Sequence, residues 1–261
     1  MLQDTGNNSN NANQIPNPYW NVWATLAFTI LVFILFSALQ SFFLVAYMFS
    51  QESMTISDAL NPNSASGFGA LLNNYAFNGD AISVSQIPAA IIGTALIFFI
   101  IAKRKTLSIK NYLEFYPPRL KYLLVFLGLM ILGMMLMEGV NIWLDRPTPE
   151  FMTKVYLSAT NLPLLWIAVG ISAPFFEEIL FRGFFFEGLR KSAFGTLGAV
   201  LLTSACWAII HVQYGWFEII SIFLIGILLA IAKLKSKSLY VPIAMHMLMN
   251  LTASLGMELN L

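Results

Sequence analysis

Long apolar stretches separated by short polar connections dominate the pattern along the chain. A membrane-spanning helix needs about 20 predominantly apolar residues, within a range of about 17–25. The pattern therefore predicts an all-α, polytopic membrane protein with seven transmembrane helices. An eighth helix would have to lie in the ambiguous stretch 50–86. The apolar segments are 20–48, 84–102, 120–144, 161–189, 196–213, 216–232 and 239–256.

The amino-terminal end of the pattern differs from the rest. Residues 1–19 are polar and rich in asparagine, and they are predicted to form a disordered tail because they carry too little apolar surface to fold. We expect residues 20–261 to form a single polytopic membrane domain. The first twenty residues lack a basic region, so no secretory signal peptide is predicted.

Composition agrees with a membrane protein and narrows the range of partners. Of the 261 residues, 58% are hydrophobic and 10% are charged, whereas a soluble domain carries about 25% charged residues. The mean hydropathy is +0.72, so the lipid bilayer is the expected partner. A net charge of +1 gives no reason to expect nucleic acid. The single cysteine, Cys206, excludes an internal disulfide and a cysteine-based zinc cluster.

Basic residues predict the orientation of the chain in the membrane. When seven spans alternate, three groups of lysine and arginine fall on one side, and only Arg146 and Lys154 fall on the other. The positive-inside rule makes the first side cytoplasmic, with the amino terminus inside. We therefore expect a multi-pass protein of the cell membrane. The three groups are Lys103, Arg104, Lys105, Lys110, Arg119 and Lys121; Arg182, Arg190 and Lys191; and Lys233, Lys235 and Lys237.

The fourth apolar segment carries Glu177, Glu178 and Arg182. A charged side chain near the bilayer centre costs roughly 2.5–3.5 kcal/mol on insertion scales, so such residues mark pathways, ion pairs or reactions. Residues four apart share a helix face, whereas neighbours point in different directions. We therefore expect Glu178 and Arg182 to form a supporting ion pair and Glu177 to face elsewhere without a local countercharge. Pro174 predicts a bend that opens space beside Glu177.

Both histidines of the chain also lie in apolar segments. His246 and Asn250 are four residues apart, so they present two hydrogen-bonding groups on one helix face. Trp207 lies one turn before His211 and can brace its ring. Counted along their segments, these residues reach depths similar to that of Glu177, between mid-membrane and the cytoplasmic side. The pattern predicts one site, built from three distant segments and facing the cytoplasmic half of the membrane.

Three motifs carry these residues, and together they resemble the CAAX-processing and bacteriocin-processing (CPBP) family of intramembrane endopeptidases, which includes the type II CAAX prenyl endopeptidases. The motifs are Glu177-Glu178-x-x-x-Arg182, Trp207-x-x-x-His211 and His246-x-x-x-Asn250, all within 161–256. The family more often has phenylalanine in place of Trp207. The resemblance implies that Glu177 activates water with help from His211, and that His246 and Asn250 stabilise the oxyanion. It also implies a peptide or protein substrate, and the family name suggests a prenylated one.

Other functions stay open at this point. Glu177, His211 and His246 are the set for a zinc site with two histidines and one carboxylate, so zinc dependence is undecided, and no other cofactor is expected. A bacteriocin-immunity factor or scaffold would keep the fold without the reaction. A transporter would use the carboxylate and the histidines to relay protons or hold an ion. The sequence leaves the substrate and the oligomeric state undetermined.

Overall fold

The computed structural model describes residues 18–60 and 65–260, and all the regular secondary structure in these two ranges is helical. Most of the predicted disordered tail, residues 1–17, lies outside the described residues. Tyr19, near the end of that predicted tail, is buried, and its ring packs edge-on against Tyr112 with the ring centroids 4.8 Å apart. The packed part of the chain therefore includes Tyr19.

The helices follow the predicted apolar segments closely. Each of the seven segments corresponds to a helix, and shorter helices occupy the connections between them. In chain order the helices are α1 (Val22–Glu52), α2 (Ile56–Leu60), α3 (Ala65–Ala76), α4 (Gly79–Arg104), α5 (Ile109–Leu113), α6 (Leu120–Trp143), α7 (Glu150–Ser158), α8 (Leu162–Arg190), α9 (Gly195–Ile209), α10 (Trp216–Ser236) and α11 (Tyr240–Asn260).

Among the described residues, five helices are long and apolar enough to cross a membrane, namely α1, α4, α6, α8 and α10. α9 is apolar but has only 15 residues, which is short of the about 20 that a full span needs. α11 has 21 residues but interrupts its apolar run with His246 and Asn250. The chain is thus a helical, multi-pass membrane protein, and the count of seven or eight spans stays a prediction.

The helix ends carry the residues that satisfy backbone groups there. Asn21 and Asn78 cap the starts of α1 and α4, because each side-chain oxygen accepts a hydrogen bond at 2.9 Å from the backbone N–H three residues later. After α4 and α10 the chain reverses through Lys105 and Lys237, both in the left-handed conformation typical of helix C-termini. These signals explain why the long helices begin and end near the predicted boundaries.

α8 is the central helix, and it contacts α1, α4, α9, α10 and α11. Its residues 178–189 are all buried. Two stretches of α8, Ala168–Ser172 and Ile179–Phe185, are π-helical, with the α-helical turn Ala173–Glu178 between them. Such insertions are rare and frequently occur at functional sites. The residues of the first motif lie within and beside the second of these stretches.

Four charged side chains form a cluster at the carboxyl-terminal end of α8. Glu187 and Lys233 are fully buried and form an ion pair, while Arg190 contacts Glu187 at 2.6 Å and Glu114 at 3.4 Å. Lys233 also contacts Glu114 at 3.3 Å. The cluster joins α8, α10 and the connection between α4 and α6. Glu177 is about 20 Å from Arg190 along α8, at a rise of 1.5 Å per residue, so this cluster is separate from the motif residues.

Candidate active site

The first motif builds a fully buried ion cluster. Glu178 and Arg182 are four residues apart on α8, and Arg182 Nη1 lies 3.1 Å from Glu178 Oε1, which is the predicted ion pair. His246 Nδ1, from α11, contacts the same oxygen at 3.0 Å. A carboxylate oxygen only accepts, so Nδ1 of His246 carries the proton. The first and third motifs therefore meet through Glu178.

The buried ion pair is not fully satisfied. Arg182 Nη2 donates to the carbonyl of Gly226 at 3.3 Å, whereas Glu178 Oε2 and Arg182 Nε have no hydrogen-bond partner in the described part of the chain. A Cβ at Gly226 would lie 3.0 Å from Ser204 Cβ and 3.1 Å from Arg182 Nη2. Glycine is therefore what allows α10 to approach the guanidinium closely enough for its carbonyl to accept.

Glu177 points away from this cluster and towards α9. Trp207 Nε1 donates a hydrogen bond to Glu177 Oε2 at 2.6 Å. The indole is 1% exposed, and its ring also stacks under the Arg182 guanidinium, 4.3 Å from the ring centroid. Because a helix turns about 100° per residue, adjacent glutamates reach different neighbours. Among the described residues no ion pair of Glu177 is found, and its carboxylate is oriented by an N–H group that the sequence analysis did not anticipate.

His211 lies outside the helix in which the sequence placed it. The predicted span 196–213 ends earlier, because α9 stops at Ile209 and the connection 210–215 leads to α10. The physical reason is local. The backbone N–H of His211 donates a hydrogen bond to the carbonyl of Ala208, and Nδ1 of the His211 imidazole donates to the carbonyl of Trp207 at 2.7 Å. In a continuing helix that carbonyl would accept the backbone N–H of His211. The side chain thus terminates α9.

The hydrogen bond to the carbonyl also determines the tautomer of His211. A carbonyl only accepts, so Nδ1 carries a proton and Nε2 of the neutral ring carries the lone pair. The ring lies edge-on to Trp207, with centroids 5.3 Å apart, and nearly parallel to Tyr214, at 6.3 Å and 19°. His211 is therefore held in one orientation with a basic nitrogen available.

The side chain of Asn250 forms a hydrogen bond with the backbone of α8. Its Nδ2 donates to the carbonyl of Val169 at 2.8 Å. In the π-helical register, where the Ala173 N–H bonds the carbonyl of Ala168, the next donor in line would belong to residue 174. Pro174 has no N–H, so it leaves the carbonyl of Val169 without its helical partner. The amide of Asn250 fills that vacancy and ties α11 to α8.

Trp207 is the common neighbour of the three motifs. It donates to Glu177, its carbonyl accepts from His211, and its ring lies 5.1 Å from that of His246. The structure thus brings Glu177, His211 and His246 together around Trp207, with His246 already bonded to Glu178, whereas Asn250 contacts the Val169 carbonyl further along α8. The roles predicted for Glu177, His211, His246 and Asn250 remain predictions.

Tyr214 is a site neighbour that the sequence analysis missed. It lies in the connection 210–215, and burial raises the pKa of its phenol to about 12, with a smaller contribution from the negative charge of Glu177. The phenol therefore keeps its proton at neutral pH. Its position three residues after His211 was the signal that could have identified it, since a tight connection returns the chain to the site.

The zinc site considered above would have to use Nε2 of both histidines. Nδ1 of each ring is bonded, to Glu178 in one case and to a carbonyl in the other, which is also how the second nitrogen of a metal-bound histidine is usually held. Within residues 18–60 and 65–260, no group of three or more His, Cys, Asp or Glu side chains is placed to hold a metal ion.

Comparisons with known proteins agree with the motifs. Residues 159–252 match the family described as type II CAAX prenyl endopeptidase Rce1-like, and all three motifs lie in this range. The predicted resemblance is thereby confirmed for the carboxyl-terminal part of the chain. An uncharacterized 24.3 kDa protein of Escherichia coli is 32% identical over 128 residues, which are 47% of this chain and 55% of that protein. The matched region thus spans about half the length of this relative. No solved structure matches the chain.

Proposed function

We propose, from the family match of residues 159–252, that this chain is an intramembrane endopeptidase that hydrolyses peptide bonds with a water molecule activated by Glu177. The observation that carries the proposal is the arrangement around Trp207. The indole N–H of Trp207 donates its hydrogen bond to Oε2 of Glu177, so Oε1 is the oxygen that would take a proton from water. General-base catalysis of this kind typically contributes about 10²–10⁴-fold to the rate.

His211 supports the same step from the other side of Trp207. Its Nε2 carries the lone pair, because Nδ1 donates to the carbonyl of Trp207. Nε2 can therefore accept a second hydrogen bond from the attacking water and hold it beside Glu177. The second amide hydrogen of Asn250 would stabilise the negative charge that develops on the substrate carbonyl oxygen. His246, whose Nδ1–H is held by Glu178, would contribute as an imidazolium, through its Nε2–H.

The substrate is a peptide or protein that reaches the site within the bilayer, and the family description favours a lipid-modified one. We place the protein in the cell membrane with the site facing the cytoplasmic half, on the strength of the basic groups that include Arg190 and Lys233. We also propose that no metal takes part, because among the described residues no three His, Cys, Asp or Glu side chains are placed to hold one. Full activity after strong chelation is the expected result.

The test is cleavage of a quenched-fluorescence membrane peptide by the purified chain in liposomes. Glu177→Gln keeps the shape of the side chain and an acceptor for the indole N–H, so it should remove activity while leaving the melting temperature unchanged. Glu138→Gln on α6 is the matched control, because it removes an exposed carboxylate outside the motifs. Activity that survives both Glu177→Gln and His211→Ala would refute the proposal. Ion flux without cleavage would favour a transporter, and neither activity would favour a scaffold.

A further inference from the structure

The connection 210–215 places a second aromatic side chain against His211. The Tyr214 ring is nearly parallel to the imidazole, and the ring of Phe151 packs edge-on against Tyr214, with centroids 5.6 Å apart. The backbone N–H of Tyr214 bonds the carbonyl of His211 at 3.1 Å. Ring and backbone contacts on both sides therefore restrict where the phenol can point.

The hydroxyl of Tyr214 lies close enough to Glu177 to be influenced by its charge, and the side chain is half-buried. In the described ranges of the chain, no protein group accepts a hydrogen bond from this hydroxyl. Most other donors near the site are already bonded to protein acceptors; the exceptions are Arg182 Nε, which is fully buried in the ion cluster, and the second amide hydrogen of Asn250. The bonded donors are the indole N–H of Trp207, both terminal nitrogens of Arg182, Nδ1 of His246 and one amide hydrogen of Asn250.

We propose that the Tyr214 hydroxyl donates a hydrogen bond to the oxyanion that forms when water attacks the substrate carbonyl. The inference rests on the proposed endopeptidase function. In this step the water oxygen forms a bond to the carbonyl carbon, the C=O π electrons move onto the oxygen, and Glu177 takes the proton from water. Tyr214 keeps its own proton throughout, so its part is a hydrogen bond and not an acid–base transfer.

The geometry favours an oxyanion donor over a residue that only packs. A group that stabilises the tetrahedral state must reach the carbonyl that the activated water attacks. Tyr214 is stacked on His211, which the proposed function places beside that water, and it lies within electrostatic range of Glu177. A preorganised donor costs no reorganisation at the moment of reaction, which is the condition under which such hydrogen bonds accelerate reactions most. A purely packing role would be served equally by phenylalanine.

The test compares Tyr214→Phe with Tyr240→Phe. The first change removes one hydroxyl and keeps the ring contacts, while the second removes a hydroxyl from a half-exposed tyrosine at the start of α11. For Tyr214→Phe we expect kcat to fall by about 10²–10³-fold with KM unchanged, which is the usual loss for one oxyanion donor. Tyr240→Phe should match the wild type.

A binding measurement separates this role from a structural one. A peptide with a phosphinate in place of the scissile bond imitates the tetrahedral state, so Tyr214→Phe should weaken its binding by the same factor as kcat and leave binding of the amide substrate unchanged. A kcat within about threefold of the wild type, or equal losses for both ligands, overturns the inference while the proposed function stands. If the wild-type chain cleaves no peptide, the proposed function and this inference both fail.

Discussion

Replacing Arg182 by methionine should strongly destabilise the protein. The guanidinium is fully buried and pairs with a fully buried Glu178, so the change leaves a carboxylate in the interior with His246 as its remaining partner. Removing one partner of a buried ion pair costs about 3–5 kcal/mol. The loss of the stacking contact between the guanidinium and Trp207 adds to this, at about 0.5–2 kcal/mol.

Removing both charges should be much less harmful than removing one. Glu178 Oε2 and Arg182 Nε are buried without partners, so the native pair recovers only part of its desolvation cost. In Glu178→Gln combined with Arg182→Met, no charge is left unpaired and the amide oxygen can still accept from His246 Nδ1. We expect this double variant to lie within about 1–2 kcal/mol of the wild type.

The free energy of unfolding measured by denaturant titration in mixed micelles decides between these outcomes, with helical circular dichroism as the signal. The reasoning predicts a large interaction energy between the two substitutions in a double-mutant cycle. It would be wrong if Arg182→Met alone cost less than about 1 kcal/mol, because a buried carboxylate without its cation cannot be that inexpensive. A double variant as unstable as the single one would also contradict it.

Two other predictions concern the hydrogen bonds that connect the motifs. Trp207→Phe keeps the aromatic ring but removes the N–H that orients Glu177, so kcat in the peptide-cleavage assay should fall roughly 10-fold or more, and an unchanged kcat would remove Trp207 from the argument. Asn250→Ala leaves the carbonyl of Val169 without a donor and should cost about 1–3 kcal/mol in the same unfolding assay. Adding Pro174→Ala to Asn250→Ala supplies a backbone N–H at residue 174 that can bond the Val169 carbonyl, so part of the lost stability should return. A further loss of stability would show that Pro174 is not the reason why the Val169 carbonyl lacks a helical partner.

The sequence allowed the long apolar helices and the internal geometry of the first motif to be predicted, because both follow from helical periodicity. The Glu178–Arg182 pair is an example, since a spacing of four residues brings the two side chains together on one helix face. The contacts between motifs were not predictable in the same way. That His246 would bond Glu178 and not an incoming substrate depends on how α8 and α11 pack, and periodicity within one helix carries no information about that.

The end of α9 shows the same limit at shorter range. The apolar run through residue 213 predicted a helix containing His211, and nothing in the pattern of hydrophobic residues indicated that the imidazole would replace its own backbone N–H on the Trp207 carbonyl. The signals were chemical: a histidine is a good side-chain donor to the carbonyls at a helix C-terminus, and Gly215 follows in the connection.

Glu177 and Glu178 are adjacent in the sequence but have different hydrogen-bonding partners. The turn of about 100° between neighbours sends one carboxylate to the Arg182–His246 cluster and the other to the indole N–H of Trp207. The Trp207 ring also contacts Arg182, so Glu178, which pairs with Arg182, and Glu177, which accepts from the Trp207 indole, belong to one connected set of contacts. A carboxylate in a buried ion pair and a carboxylate that accepts only a neutral N–H can therefore occupy consecutive positions of one membrane helix.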